Sequence, residues 1–237
     1  MEIAGYTTLA RQAGLMREMQ LIANNIANVN TTGFRQQGLI FSEYIERSAD
    51  GDGVAMAAGR VKNTSFLPGT MSRTGGQFDF AIEGGGFFLV QTPDGERLTR
   101  AGAFSPSVDG TLVTPDGHPV LDEGGAPIFV PPGTVDMAVA RDGTISSGGQ
   151  LIGRLGLVQP LDAQAREREG AALFRADDGF EPVADPRIRQ GFVEGSNVDP
   201  ILQVARMIEV QRAYEMGQTF LTREDERIRA ATNAFFK

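Results

Sequence analysis

The stretch that decides the fold is residues 15–35, which read LMREMQLIANNIANVNTTGFR. Its apolar side chains recur at every third or fourth position, and this spacing places them on one stripe of an α-helix. The stripe consists of Leu15, Met19, Ile22, Ile26 and Val29. No Gly or Pro interrupts it, so the pattern predicts a helix that continues to Val29 and ends at Gly33, a residue suited to the position just past a helix end.

The carboxy-terminal end carries a second helical pattern. Asp199 followed by Pro200 predicts a helix start, with Asp as the cap and Pro in the first turn. A repeat of apolar residues follows over about four heptads, interrupted at Glu224, as in a coiled-coil seam. It consists of Met207, Val210, Tyr214, Gly217, Leu221, Ile228, Ala231 and Phe235. Neither terminal helix can bury its stripe alone, so each needs the other helix, the middle of the chain or another subunit as a partner.

The middle of the chain has the pattern of short strands. Apolar runs at 78–82 and 86–90 are flanked by glycines, and the total of 30 Gly favours many tight turns. Asp-Gly pairs between β-prone segments are strong hairpin signals. They occur at Asp94-Gly95, Asp109-Gly110, Asp116-Gly117 and Asp142-Gly143. The sequence therefore predicts an antiparallel sandwich or barrel-like domain.

Taken together, the patterns predict a mixed α and β fold. Terminal amphipathic helices, a coiled-coil-like pair, bracket a central, mainly antiparallel β domain. We expect residues 1–35 with 197–237 to form a helical core domain, and residues 77–196 to form the β domain. Residues 36–76 are expected to be a linker or extended arm, because residues 48–59 are small, polar and Gly-rich.

Composition excludes several classes of function. The formal charge of −8 argues against nucleic acid as a partner, because phosphate binding needs a basic surface. The sequence contains no Cys, so disulfides and thiolate chemistry cannot contribute. Residues 1–6 show no basic region followed by an apolar run, and no stretch approaches the length of a membrane span. We expect a soluble protein, or one exported by a route that retains its amino terminus.

No motif for catalysis or ligand binding is evident. The one His, His118, stands in a turn, and a metal site usually needs further nitrogen or sulfur ligands. Gly84-Gly85-Gly86 lacks the spacing of a phosphate-binding loop and predicts a tight turn or bulge. We therefore expect no catalytic residue, metal, cofactor or small-molecule substrate. The alternative from another class, a secreted β-sandwich binding module or hydrolase, needs a convergent polar pocket that no motif supplies.

Several segments resemble one known family. Residues 23–35, ANNIANVNTTGFR, closely resemble the amino-terminal signature of the flagellar rod and hook axial proteins. Further blocks resemble the family's central β block and carboxy-terminal block: 81–90, 98–104, 109–113, 195–200 and 207–215. The resemblance spans almost the whole chain and is weakest over 46–76 and 160–190. The short segment after the first helix favours the proximal-rod type, with the distal-rod type as the alternative.

The resemblance implies a structural function and no enzymatic activity. The terminal helices would pack with those of neighbours into the inner tube of the basal-body rod, with the β domain outside, and the rod would transmit motor torque to the hook. The implied partners are copies of the chain, other proximal rod proteins, the distal rod protein and the flagellar type III export apparatus. The implied location is the periplasm-spanning rod of the basal body, reached without a cleaved signal peptide.

The resemblance also implies which residues mediate assembly. The expected seam is Leu15, Met19, Ile22, Ile26 and Val29 with Met207, Val210, Tyr214, Leu221, Ile228 and Phe235. The signature residues are Asn24, Asn25, Asn28, Asn30, Thr32, Gly33 and Phe34. The four asparagines are expected to fix the end of the helix and to contact neighbours by hydrogen bonds.

Overall fold

The computed structural model describes residues 2–47, 53–134, 136–162 and 166–235. The chain divides into two compact units, each assembled from separate parts of the sequence. Unit 1 comprises Met1–Ala27, Gln36–Phe66 and Val198–Lys237. Unit 2 comprises Asn28–Arg35 and Leu67–Asn197.

Unit 1 contains two helices and a β-hairpin. Their bounds are α1 Glu2–Ala27, β1 Gln37–Arg47, β2 Gly53–Thr64 and α2 Pro200–Phe235. The helices pair antiparallel, because Gln12 of α1 contacts Tyr214 whereas the later residue Asn25 contacts the earlier residue Gln203. With 36 residues, α2 is about 54 Å long.

The predicted start of α2 is confirmed. Asp199 Oδ1 accepts hydrogen bonds from the backbone nitrogens of Ile201 at 2.9 Å and Leu202 at 3.1 Å, as an N-cap side chain does. Pro200 is the first helical residue, where the missing N–H has no partner to lose.

The predicted end of α1 at Gly33 is wrong. The helix ends at Ala27, and Val29 lies in a turn where the backbone nitrogen of Thr31 donates to the Asn28 carbonyl at 3.1 Å. The Thr31 hydroxyl also lies 3.1 Å from Asn28 Oδ1. Short polar side chains of this kind compete with the helical hydrogen bonds, which explains the earlier end. Gly33, with a φ of 67°, therefore does not cap the helix but belongs to the following turn.

Residues 36–76 are not the linker or extended arm that we expected. Their first part forms β1 and β2, which pair antiparallel from Gln37↔Thr64 with an irregularity at Ile40/Phe41, and the hairpin lies against α1. Residues 39–45 are rich in aromatic and β-branched types, which favour strands, but residues 53–59 of β2 are mostly small, so that half of the hairpin carries little strand signal. Residues 48–52 lie outside the described residues, and residues 67–76 belong to unit 2.

Unit 2 is an antiparallel β structure, as predicted. Its strands are β3 Met71–Arg73, β4 Phe80–Ile82, β5 Phe87–Thr92, β6 Gly95–Thr99, β7 Ser105–Pro106, β8 Leu112–Val113, β9 Met137–Val139, β10 Thr144–Ser147, β11 Gln150–Arg154, β12 Leu157–Pro160, β13 Arg166–Glu169, β14 Leu173–Ala176, β15 Phe180–Pro182, β16 Ile188–Gln190 and β17 Phe192–Glu194. The largest sheet has the order β13-β14-β6-β5-β12-β15. A second has the order β11-β10-β9, and the pairs β16-β4, β17-β3 and β7-β8 complete the described strands.

The core of unit 2 is formed by the apolar runs that the sequence indicated. Phe88 is fully buried and meets Phe104 edge to face, with ring centroids 5.3 Å apart. The β5–β6 hairpin turns at Asp94-Gly95, where Gly95 has a φ of 112° that only glycine adopts readily. Truncation of such a buried ring to Ala costs about 3–5 kcal/mol, so this core accounts for much of the stability of unit 2.

Candidate assembly site

The two helices of unit 1 meet along an apolar seam. Leu15, Ile22 and Val210 are buried, and Met19, Ile26, Met207, Ala213 and Tyr214 pack against them. The structure therefore brings together these members of the expected set: Leu15, Met19, Ile22, Ile26, Met207, Val210 and Tyr214.

Four expected seam residues lie elsewhere. Val29 lies in the turn after α1, Leu221 is half-buried outside the cluster, and Ile228 is 53% exposed. The side chain of Phe235 lies outside the described residues. For Ile228 and Phe235 the cause is the unequal length of the helices beyond the Gln12–Tyr214 contact: α1 starts at Glu2, 10 residues before Gln12, whereas α2 runs to Phe235, 21 residues after Tyr214.

Polar side chains also form contacts between the two helices along the seam. Gln12 Nε2 donates to the Tyr214 carbonyl at 2.8 Å, and Arg206 Nε donates to Glu18 Oε1 at 2.7 Å. The hydrogen bond that Arg206 donates to Glu18 raises the pKa of Arg206, and Glu18 itself is buried. Since a slip of one turn would leave these buried groups without partners, the contacts fix the register of the helix pair. The sequence analysis missed them because it followed only the apolar positions.

Asn25 of the signature is the third polar residue of the seam. It is 1% exposed, and its amide bonds to three groups: the backbone N–H of Gln37 at 2.9 Å, the Gln37 carbonyl at 2.7 Å and Gln203 Oε1 at 3.2 Å. It thus joins both helices to the start of β1 within unit 1. Asn24 and Asn30 are exposed, and for them a contact with a neighbouring subunit stays a prediction.

A second apolar face of α2 is exposed. We call it the outer face of α2 and define it by Ile201, Val204 and Ile208, which are 79%, 49% and 45% exposed. Ile208 precedes the buried Val210 by two residues, which is about 200° around a helix, so the outer face lies opposite the seam. The sequence analysis missed this face because it fitted a single stripe to α2.

The signature residues after α1 belong to a buried ionic cluster in unit 2. Arg35 Nη2 donates to Glu194 Oε1 at 2.5 Å, and Arg100 Nε lies 2.9 Å from Glu194 Oε2. The backbone nitrogen of Gly69 donates to Oε1 at 2.9 Å. All three charged side chains are at least 95% buried. Burial lowers the pKa of Arg100, and the neighbouring Glu194 carboxylate opposes this effect.

Glycines bring the backbone close to this cluster. The backbone nitrogen of Gly33 donates to the Glu194 carbonyl at 2.8 Å, and a Cβ at Gly33 would overlap the backbone of Ala101. The turn that contains Gly84 and Gly86 presents its carbonyls to the Arg100 guanidinium, at 2.7 and 2.8 Å. This turn therefore accepts hydrogen bonds from a cation. Phe34, also of the signature, is fully buried, and Thr32 is half-buried.

Sequence reasoning did not find the ionic cluster, although a signal was present. Arg35, Arg100 and Glu194 lie in or beside the three blocks that carry the family resemblance, each among apolar or small residues. A charged residue in such a setting indicates a buried charge, which requires a partner of opposite sign.

The remaining chemistry of the described residues is limited. They contain no group of three or more metal-ligating side chains, and His118 is a half-buried turn residue whose backbone N–H donates to Thr114 Oγ1 at 3.1 Å. Neither α1 nor α2, over its described residues, is long and apolar enough to cross a membrane.

The described chain thus pairs two helices that are far apart in sequence and has an antiparallel β structure between them in sequence. Three family models match the chain: "Flagella basal body rod protein" at residues 7–35, "Flagellar hook protein FlgE/F/G D1 domain" at 81–147 and "Flagellar basal body rod FlgEFG protein C-terminal" at 189–234.

Relatives match over nearly the whole length of the chain. The flagellar basal-body rod protein FlgF of Caulobacter vibrioides is 40% identical over 100% of this chain and 99% of its own. FlgF of Mesorhizobium japonicum is 39% identical over 89% and 88%, and the rod protein FlgG of Bacillus subtilis is 28% identical over 96% and 97%. The chain belongs to the family of flagellar basal-body rod proteins, and it is a structural subunit of the basal body that assembles with other flagellar axial proteins.

Proposed function

We propose that this subunit polymerises through its terminal helices into the proximal part of the rod, the shaft that carries torque from the motor to the hook. Its neighbours would be copies of itself, other proximal rod proteins and, at the far end, the distal rod protein. The FlgF relatives support the proximal position, and a distal position in the same rod is the alternative.

The observation that carries this proposal is the outer face of α2. Its three residues expose on average about 58% of each side chain, and full burial of one such residue contributes about 2 kcal/mol. Contact with neighbouring helices would therefore contribute about 3.5 kcal/mol before the cost of association. A patch on one surface that binds a different surface of the next subunit produces an open helical array.

A subunit that acts by packing against its neighbours needs no catalytic turnover, and we infer that the chain is not an enzyme. The buried Glu194 carboxylate is paired with Arg35 and Arg100, and Arg100 also donates to two backbone carbonyls. Within the described residues, the seam and the ionic cluster join segments distant in sequence, which suits a part that must resist torsion.

We also propose export through the flagellar type III apparatus without removal of an amino-terminal segment. Leu15 and Ile22 of α1 are two of the three buried residues of the seam, so cleavage of α1 would leave the third, Val210 of α2, uncovered. The absence of Cys suits passage through a channel as an unfolded chain.

The variant that tests the proposal is Ile208→Asp, with Gln211→Asp as the matched control. Both add one negative charge to an exposed position on the same side of α2, but only Ile208 contributes an apolar side chain to the outer face, whereas Gln211 is already polar. Each gene copy would replace the chromosomal one, and motility and the amount of the subunit in purified basal bodies would be measured. Because Ile208 is 45% exposed, we expect the purified subunit to keep its helical circular dichroism.

We expect Ile208→Asp to abolish swimming and incorporation and Gln211→Asp to leave both unchanged. Normal incorporation of Ile208→Asp would mean that the outer face of α2 is not an assembly surface.

A further inference from the structure

The ionic cluster of unit 2 holds more positive than negative charge. Arg35, Arg100 and a third arginine, Arg168, lie together, and Glu194 is the carboxylate that pairs with the first two. Three positive charges against one negative charge leave an excess of two. The chain as a whole carries −8, so this local excess runs against its overall charge.

Arg168 is held by contacts that do not neutralise it. Its Nη2 donates to the Arg35 carbonyl at 2.7 Å, and its guanidinium lies 4.2 Å from the ring centroid of Phe34 and 5.6 Å from that of Phe174. Burial and the like charge of Arg35 lower the pKa of Arg168 to about 10. Stacking on aromatic rings uses the two faces of a guanidinium. Its N–H groups lie in its plane and can still donate to an acceptor.

Two nitrogens of each guanidinium lack an acceptor among the described residues. Nε and Nη1 of Arg35, and Nε and Nη1 of Arg168, are buried without a hydrogen-bond partner among the described residues. The Arg35 side chain is only 2% exposed, so bulk solvent does not satisfy it. Nη2 of each arginine is already engaged, and each remaining N–H can donate one charge-assisted hydrogen bond to an oxygen of a carboxylate or a phosphate.

We propose that Arg35 and Arg168 form a binding site for one oxyanion group, a phosphate or a carboxylate. The group would accept hydrogen bonds from the unpartnered Nε and Nη1 groups of the two arginines and would offset the excess positive charge. It would enter beside Arg168, which is half-buried and lies on β13, at one end of the strand order of the largest sheet. The site does not depend on the proposed role in rod assembly.

The test is the stability of the full chain against inorganic phosphate. Unfolding would be followed at constant ionic strength, with sodium chloride replacing phosphate, so that general screening stays the same. At a phosphate concentration 100 times the Kd, the unfolding equilibrium constant of unit 2 should fall about 100-fold. Arg168→Gln should abolish this dependence. Arg175→Gln should keep it, because Arg175 is an exposed arginine of the adjacent strand β14, already paired with Glu167 and Asp177.

A second measurement uses the unaltered chain, so it remains informative if a variant fails to fold. In the unaltered chain, phosphate should slow amide hydrogen exchange in β13 and β14 with a saturable dependence on its concentration. A second arm, without phosphate, compares two concentrations of protein. Protection that rises with protein concentration and is lost on addition of phosphate would identify the oxyanion as a carboxylate of a second copy. No saturable effect in either arm, or an equal effect in Arg168→Gln, would overturn the proposal and leave only water at these arginines.

Discussion

The replacement Glu194→Gln should be the most damaging conservative change in unit 2. Gln keeps the size of the side chain and one acceptor oxygen, but it removes the negative charge that faces Arg35 at 2.5 Å and Arg100 at 2.9 Å. Both arginines would then be buried cations without a counterion. Removal of one partner from a buried ion pair costs about 3–5 kcal/mol, and here two cations depend on the same carboxylate.

Hydrogen exchange measured by mass spectrometry is a suitable assay because it resolves unit 2 from unit 1. The three tyrosines, Tyr6, Tyr44 and Tyr214, all lie in unit 1, so their fluorescence would not report on unit 2. A loss of about 3–5 kcal/mol should speed the slowest exchange in β5 and β6 by about two to four orders of magnitude.

Glu167→Gln is the matched control for this experiment. Glu167 also pairs with an arginine, Arg175 at 2.8 Å, but the two side chains are 68% and 44% exposed. An exposed pair of this kind contributes at most about 1 kcal/mol, so exchange should change by less than about tenfold. Equal effects of the two replacements would refute the claim that the buried cluster stabilises unit 2.

Three further predictions concern single positions. Asp199→Ala should destabilise the start of α2 by about 1 kcal/mol, seen as faster exchange in its first turn; unchanged exchange would mean that the cap does not stabilise the helix. Gly33→Ala should cost about 2 kcal/mol or more in unfolding of unit 2, because its φ is 67° and a Cβ meets the Ala101 backbone; a cost below about 0.5 kcal/mol would contradict this contact. Ile26→Asp should prevent rod assembly while the slowest exchange in β5 and β6 stays unchanged; motility of this variant would remove Ile26 from the assembly seam.

The sequence predicted the elements whose signals are local. The spacing of Leu15, Ile22 and Val210 indicated two helices, and Asp-Gly turns indicated the β structure between them. It also led to the correct start of α2, because a cap and a proline act on adjacent residues. The β1–β2 hairpin was missed because the small, Gly-rich segment 48–59, which includes the first half of β2, dominated the interpretation of residues 36–76.

The sites were less accessible to sequence reasoning. The seam followed from its apolar period, but the ionic cluster joins Arg35 to Glu194 across 159 residues, and no local pattern specifies such a pair. The outer face of α2 was overlooked because a helix with two apolar faces fits no single stripe. The family resemblance indicated that these segments matter, and the structure shows the contacts that they make.

The central claim is that the outer face of α2 becomes buried when the rod assembles. Because the chain has no Cys, Ile208→Cys creates a single thiol whose reaction with a maleimide can be followed in the free subunit and in isolated basal bodies. The account predicts rapid labelling in the free subunit, where Ile208 is 45% exposed, and strong protection in basal bodies. Equal labelling in both, with the variant incorporated at normal levels, would contradict it.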